Sequence, residues 1–202
     1  MTKLTDMSLE ELWELFPVAL VAPREEWQEQ YAKMEERLRA LLAGVSGLRI
    51  SHVGSTAIEG IWAKDIVDVL VEVGPEENLD AVAGTLERNG FLRMSESGTR
   101  ISLNWGYTPE GFADEVFHVH LRFQGDDDEV HFRDYLNAHP EAAAEYEALK
   151  LALWRRHEHD RDAYTEGKTA FVRQVMDAVF AQGERELDQG CSSRTSGGRA
   201  SS

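Results

Sequence analysis

Hydrophobic and polar positions fall into two periods along this chain. Several stretches alternate and several repeat at helical spacing. Leu48 to Val53 and Ile66 to Val73 read as extended strands. In the second, Ile66, Asp68, Leu70 and Glu72 share one face, and Val67, Val69, Val71 and Val73 share the other. Thr99–Trp105 and Glu115–Phe123 alternate in the same way and are predicted to form a hairpin. Phe91–Met94 is a further short strand, and residues 18–22 an edge strand. Helical spacing marks 8–16, with Ser8 and Glu11 as a capping box, and 23–43, where Trp27, Tyr31, Met34 and Leu38 recur. Further helices are expected at 76–89, 129–138, 140–157 and 161–181. From Gly183 onward the composition is low in complexity, and an unstructured tail over 183–202 is expected.

These elements make an α/β (α+β) chain with one mixed sheet. The alternating strands give that sheet one apolar face and one polar face. The polar face collects Asp68, Arg100, Ser102, His118, His120 and Arg122. A cleft closed by the C-terminal helices is one reading; an ordinary sheet with one wet side is the other. The second explains Arg100 and Ser102 at least as well. Asp68 is different: it interrupts a β-branched run, and a carboxylate there is costly unless solvated, paired or metal-bound.

Between the first two strands lies the turn Gly54-Ser55-Thr56. Thr56 and Glu59 have the T-x-x-E spacing of a capping box, so a helical turn is expected here. A helix start after a strand offers free N–H groups to an anion. His118 and His120 are two residues apart, so their rings share a face. With Asp68 they could ligate a divalent metal; contact with a phosphate, or general-base work, stays equally open. Tyr146/Lys150 and Tyr164/Lys168 repeat a Y-x-x-x-K spacing that places each pair on one helix face. Lys168 lies on the apolar stripe of its helix, which would aim its ammonium inward. The plain alternative is two surface lysines packed on tyrosine rings.

The stretch GSTAIEGIWAKDIVDVLVEV resembles the GrpB (UPF0157) family, whose members carry G-S-T-A-x-x-G-x-x-A-K-P-I-I-D-I. The later segments FHVHLRF, FRDYLNAHPEAAAEYEALK and YTEGKTAFV resemble that family's later blocks, so the likeness spans Leu15 to Phe180. Asp65 and Glu59 stand where prolines are usual. The resemblance implies a nucleotidyltransferase-like mixed sheet flanked by helices: an N-terminal segment over 1–22, a main domain over 23–182 and a helical cap from about 129. It implies binding of a nucleotide or other phosphorylated small molecule, with Mg²⁺ or another divalent metal, and nucleotidyl transfer. Gly54, Ser55 and Thr56 would hold phosphate. Lys64, Arg100, Arg122 and Lys168 would neutralise it, and Asp68, His118 and His120 would serve as metal ligands or catalytic groups. Active nucleotidyltransferases carry Asp/Glu-x-Asp/Glu on this strand, whereas Leu70 holds the second position here. That departure favours the alternative, an accessory module for an enzyme partner. Fusion of such domains to dephospho-CoA kinase points toward coenzyme metabolism.

Charge narrows the range of partners. The 202 residues include 21 basic and 37 acidic side chains, a net charge of −16. Such a surface repels nucleic acid backbones and anionic membranes, so an anionic ligand needs a local cluster of cations. A single cysteine, Cys191, allows no internal disulfide, and the N-terminus lacks an apolar signal segment. A cytoplasmic location is expected.

Overall fold

A computed structural model describes the backbone of residues 7–195 and the side chains of residues 7–183. A five-stranded mixed sheet organises it, with strand order β2-β4-β7-β6-β5. The strands are β2 (Arg49–Val53), β4 (Val67–Val73), β5 (Leu92–Ser97), β6 (Arg100–Thr108) and β7 (Gly111–Phe123). β4 lies second in the sheet, antiparallel to β2 and parallel to β7. Register places Val53 opposite Asp68 and Asp68 opposite His118. A separate two-stranded ribbon joins β1 (Leu20–Val21) to β3 (Ala63–Lys64).

The two faces of β4 differ as the alternation requires. Val67, Val69, Val71 and Val73 are fully buried. They pack against Trp27, Tyr31, Met34 and Leu38 of α2 (Glu26–Leu41) and Leu79, Val82 and Leu86 of α3 (Leu79–Glu87). The opposite face belongs to the C-terminal helices: α4 (Asp128–Ala138), α5 (Pro140–Arg156), α6 (Arg161–Glu166) and α7 (Thr169–Thr195). Short α1 (Leu9–Leu15) precedes the ribbon and opens on the expected Ser8–Glu11 capping box.

The cap grips the β2–β3 connection through its backbone. Asn137 of α4 accepts from the Glu59 N–H at 2.9 Å and donates to the Ala57 carbonyl at 3.0 Å. Glu147 of α5 accepts from the Trp62 N–H at 2.7 Å, and the Lys150 ammonium donates to the Trp62 carbonyl. Ile58 and Ile61 complete the joint by packing with Leu136, Tyr146 and Val175. A polar connection that would otherwise be a surface loop is thereby fixed over one end of the sheet. Edge strand β2 is closed in a similar way: Tyr31 donates to the Ile50 carbonyl at 3.2 Å and Arg133 to the His52 carbonyl at 2.6 Å.

Several boundaries move from those read in the sequence. GYTPEGFAD is strand rather than loop: β6 and β7 turn at Thr108–Gly111. The alternation is lost there because a bulge between Trp105 and Tyr107 shifts the register. Gly106 makes the bulge possible with φ +89°, and a Cβ there would meet the Glu115 carbonyl oxygen at 2.3 Å. The expected capping box at Thr56/Glu59 does not form. A single 3₁₀ turn spans Ser55–Ala57 with Gly54 as its N-cap and no side-chain cap. Thr56 instead bonds His52 Nε2 through its hydroxyl at 3.0 Å. Helix α7 continues past Gly183, where the tail was expected to begin, because ERELDQ after it has good helix propensity and no proline. Residues 196–202 of that tail lie outside the described residues. No helix among the described residues is long and apolar enough to cross a membrane.

Leu70 tests the cap-side face of the sheet. It is completely buried, so a carboxylate introduced there has no solvent. Leu70→Asp is expected to cost about 3–5 kcal/mol, lowering the melting midpoint by roughly 6–20 °C in a chain of this size. A calorimetric midpoint within a degree of the parent would contradict the packing described for this face.

Candidate functional site

Where the carboxyl end of β2, the start of β4, the middle of β7 and the cap helices meet, they enclose a cleft of about 340 Å³. Gly54 and Ser55, Lys64, Asp68, His118, His120 and Lys168 line it. Thus seven of the residues read from the sequence share one space. Glu129, Tyr146, Arg161, Tyr164 and Thr165 complete its polar wall, and Val18, Val53 and Ile66 its apolar wall.

Gly54 and Asp68 meet at the floor. Gly54 has φ +70°, and a Cβ on it would fall 2.3 Å from Asp68 Oδ2. Both the backbone angle and the space require glycine. The other oxygen, Oδ1, faces two imidazoles: His118 Nδ1 at 3.3 Å and His120 Nε2 at 3.2 Å. Burial by itself would raise the Asp68 pKa. Hydrogen bonding to His118 and His120 overrides this and holds the carboxyl well below its usual range. Burial lowers the His118 pKa, and Lys64 and His120 add to that. Tyr107, from the bulged hairpin, bonds His118 Nε2 at 2.8 Å, and Arg161 donates to the Tyr107 hydroxyl at 3.0 Å. With Arg161 donating to it, Tyr107 passes its own proton toward His118 Nε2. This assigns the His118 hydrogen to Nδ1, facing Asp68.

Three cations surround this acid. Arg161 is fixed by Tyr107 and by the Phe16 carbonyl at 3.4 Å. Lys168 lies 4.6 Å from the centre of the Tyr164 ring. The Lys64 ammonium has no hydrogen-bond or ion-pair partner among the described residues. Burial, then Lys168 and Arg161, push the Lys64 pKa down to about 7. Burial also lowers Lys168. Behind them Lys150, read as one of a pair of repeated Tyr–Lys contacts, is 1% exposed and 4.9 Å from the Tyr146 ring centre. It is held by the Trp62 carbonyl, not placed on the surface, and burial lowers it to about 7.

Three expected ligand groups do not reach the cleft. Arg100 is exposed on β6 and donates to Asp126 at 2.8 Å. Arg122 is buried and paired at 3.2 Å with Glu129, itself a wall residue, and does not line the cleft. Thr56 is committed to His52. In each case a nearer partner satisfies the side chain before the cleft can. The expected metal set fares no better. Among the described residues, no three of His, Cys, Asp and Glu are arranged to hold a metal ion. Asp68 Oδ1 is shared by two rings and Oδ2 packs on Gly54, while Leu70 supplies no second carboxylate. The residues present therefore do not fit a divalent metal as they stand, and the chemistry below uses none.

Residues missed in the sequence are Arg161, Tyr107 and Glu129. Arg161, Tyr164 and Lys168 are spaced i, i+3, i+7, so the Tyr–Lys pair carried a signal for Arg161. Tyr107 carried none, since the bulge that turns it inward is not a sequence pattern.

The family model described as GrpB protein matches residues 17–178. The chain belongs to the GrpB family. A UPF0157 protein of Pseudomonas aeruginosa is 35% identical over 176 residues, 80% of this chain and 72% of that protein. A dephospho-CoA kinase of Mycolicibacterium paratuberculosis is 30% identical over 182 residues, 78% of this chain but only 44% of that protein. The crystal structure of GrpB from Enterococcus faecalis superimposes with a TM-score of 0.70 at 27% identity, covering 81% of this chain and 98% of that one. The Cid1 poly(U) polymerase, with Mg and 3′-dATP bound, gives 0.50 at 13% identity over 79% of this chain and 51% of that one. The GrpB fold is accordingly nucleotidyltransferase-like.

Two measurements check this geometry. Gly54→Ala is expected to cost about 1–3 kcal/mol from its positive φ alone, with the Asp68 overlap in addition. In an Asp68→Ala background the overlap with the carboxylate is gone, leaving the backbone part and the approach to Cβ at 2.8 Å, so the two losses should not add; strict additivity would contradict the contact. The second concerns pH. Folded Lys150 gives up its proton near pH 7, whereas an unfolded lysine keeps it to about 10. Between those values the unfolded state holds more protons, so this group makes stability rise with pH. Lys150→Met should flatten the slope of melting midpoint against pH between 7 and 9.5, whatever its effect on the absolute midpoint.

Proposed function

We propose that the cleft binds a small phosphorylated ligand, a nucleotide or a coenzyme precursor among the candidates. One observation carries this reading. In a chain of net charge −16, Lys64, Arg161 and Lys168 converge beside the Gly54–Ser55 turn in one enclosed space. Cations held together in this way depress one another's protonation, and an anion relieves the repulsion. Gly54 and Asp68 form the floor, Ser55 offers a hydroxyl, and the two histidines stand beside Asp68.

Nucleotidyl transfer by two metal ions has little support in this site. Its second strand position is Leu70, and the donors around Asp68 are turned toward each other. That same absence favours the second reading, a non-catalytic module that assists a partner enzyme. The likeness to a protein named dephospho-CoA kinase suggests where such a partner would be sought.

A melting screen separates the two. A ligand at a hundred times its dissociation constant adds about 2.7 kcal/mol, which raises the midpoint by roughly 5–10 °C. Inorganic phosphate, nucleoside triphosphates and coenzyme precursors form the panel, with and without Mg²⁺. Because a bound anion restores the proton to Lys64, whose pKa is about 7 when the cleft is empty, binding should take up protons. Affinity should therefore weaken steadily from pH 7 to pH 9. No shift with any ligand at millimolar concentration would leave the accessory module as the better reading. A shift that appears only with Mg²⁺ and disappears in Asp68→Asn would restore the metal.

A further inference from the structure

Asp68 orients two histidines, but it leaves them in different states. His118 uses both ring nitrogens, one toward Asp68 and one toward Tyr107. His120 uses one. Its Nε2 faces Asp68 Oδ1 at 3.2 Å, and its Nδ1 has no protein partner among the described residues. A carboxylate beside Nε2 keeps the hydrogen there and leaves a lone pair on Nδ1. This is a nucleophile positioned by a neighbouring acid. It lines the same cleft as Lys64, Arg161 and Lys168.

We infer that His120 accepts a phosphoryl group on Nδ1 from a phosphate monoester bound in this cleft, without a metal ion. The inference rests on the anion-binding role proposed above and adds a reaction to it. The His120 Nδ1 lone pair attacks phosphorus, so that an N–P bond forms and the ester P–O bond breaks. The leaving oxygen takes a proton from the Lys64 ammonium. Asp68 keeps its hydrogen bond to Nε2–H and balances the positive charge of the substituted ring. In the second step water attacks phosphorus, its proton passes to the Lys64 amine, and the N–P bond breaks. Phosphate leaves and the starting histidine returns. Arg161 and Lys168 neutralise the phosphoryl oxygens in both steps, the work a metal performs elsewhere. A lysine near neutrality is suited to give and retake that proton, and Lys64 meets this condition through burial and its cationic neighbours.

The test uses the full chain in excess EDTA with p-nitrophenyl phosphate as donor, quenched into alkali, in which phosphohistidine survives. Mass spectrometry should find one phosphoryl group per chain, on His120. Phosphorus NMR should place it on Nδ1 and not on Nε2. His120→Gln should lose the label to background, whereas Arg100→Gln, outside the cleft, should keep both the label and the melting shift given by inorganic phosphate. Asp68→Asn should slow labelling by roughly two orders of magnitude. A label on Nε2 or on another residue overturns the proposal, and so does labelling that requires added Mg²⁺. Absence of both label and p-nitrophenolate release in a protein that phosphate still stabilises refutes the transfer and leaves phosphate binding standing. Absence of that stabilisation too removes the binding role as well. The isomer assignment is made on the parent chain, so a poorly folded variant cannot decide the outcome.

Discussion

The carboxylate of Asp68 lies over the Cα of Gly54, at a distance where any side chain on that glycine would overlap it. This close approach depends on the antiparallel pairing of β2 with β4, which brings Val53 opposite Asp68. From it follow the path of the Ser55–Ala57 turn, the orientation of Asp68 toward the two histidines, and the position of the cleft. A buried acid is expensive unless its charge is answered. Here the answer comes from His118 and His120 on the parallel neighbour β7, and from three cations around the cleft. The fold thereby concentrates polar groups in one place and leaves the opposite face of β4 entirely to valines.

The cap makes this arrangement rigid. Asn137, Glu147 and Lys150 satisfy backbone groups on both sides of the Ile58–Ile61 segment. The connection between the glycine turn and Lys64 is consequently as well held as a strand. Lys150 also shows what the arrangement costs. A lysine amine with almost no exposure is kept near neutrality, so part of the stability of the cap depends on pH. Inside the cleft desolvation lowers Lys64, to about 7, and lowers Lys168 as well. Lys150 answers the Trp62 carbonyl, whereas Lys64 and Lys168 face the cleft, where the anionic ligand proposed above would favour their charged forms.

Within the GrpB family and its nucleotidyltransferase-like fold, this cleft departs from two-metal chemistry at the position of Leu70. The fold fixes where a site lies, at the end of β2 and the start of β4, but not which reaction it performs. With one carboxylate already shared by two imidazoles, positive charge in this site comes from side chains. The binding and histidine-centred transfer proposed above rest on that placement of charge.

Much of this was legible in the chain. Alternation alone put Asp68, His118 and His120 on one face, because side chains in a strand have a strict period of two. The Gly54-Ser55 turn and the inward stripe of Lys168 were equally local signals. Sequence could not show which cations would reach the cleft. Arg100 and Arg122 share the face of Asp68 by period, but long guanidinium side chains go to the nearest acid. Asp126 claims Arg100, and Glu129, on the cleft wall, claims Arg122. Arg161 and Tyr107 arrive instead from segments 93 and 39 positions away from Asp68 in the numbering, brought in by a helix packing and a bulge that leave no periodic trace. Which side chains share a face is decided residue by residue along the strand. Which of them share a site is decided by competition among partners that only the folded chain brings together.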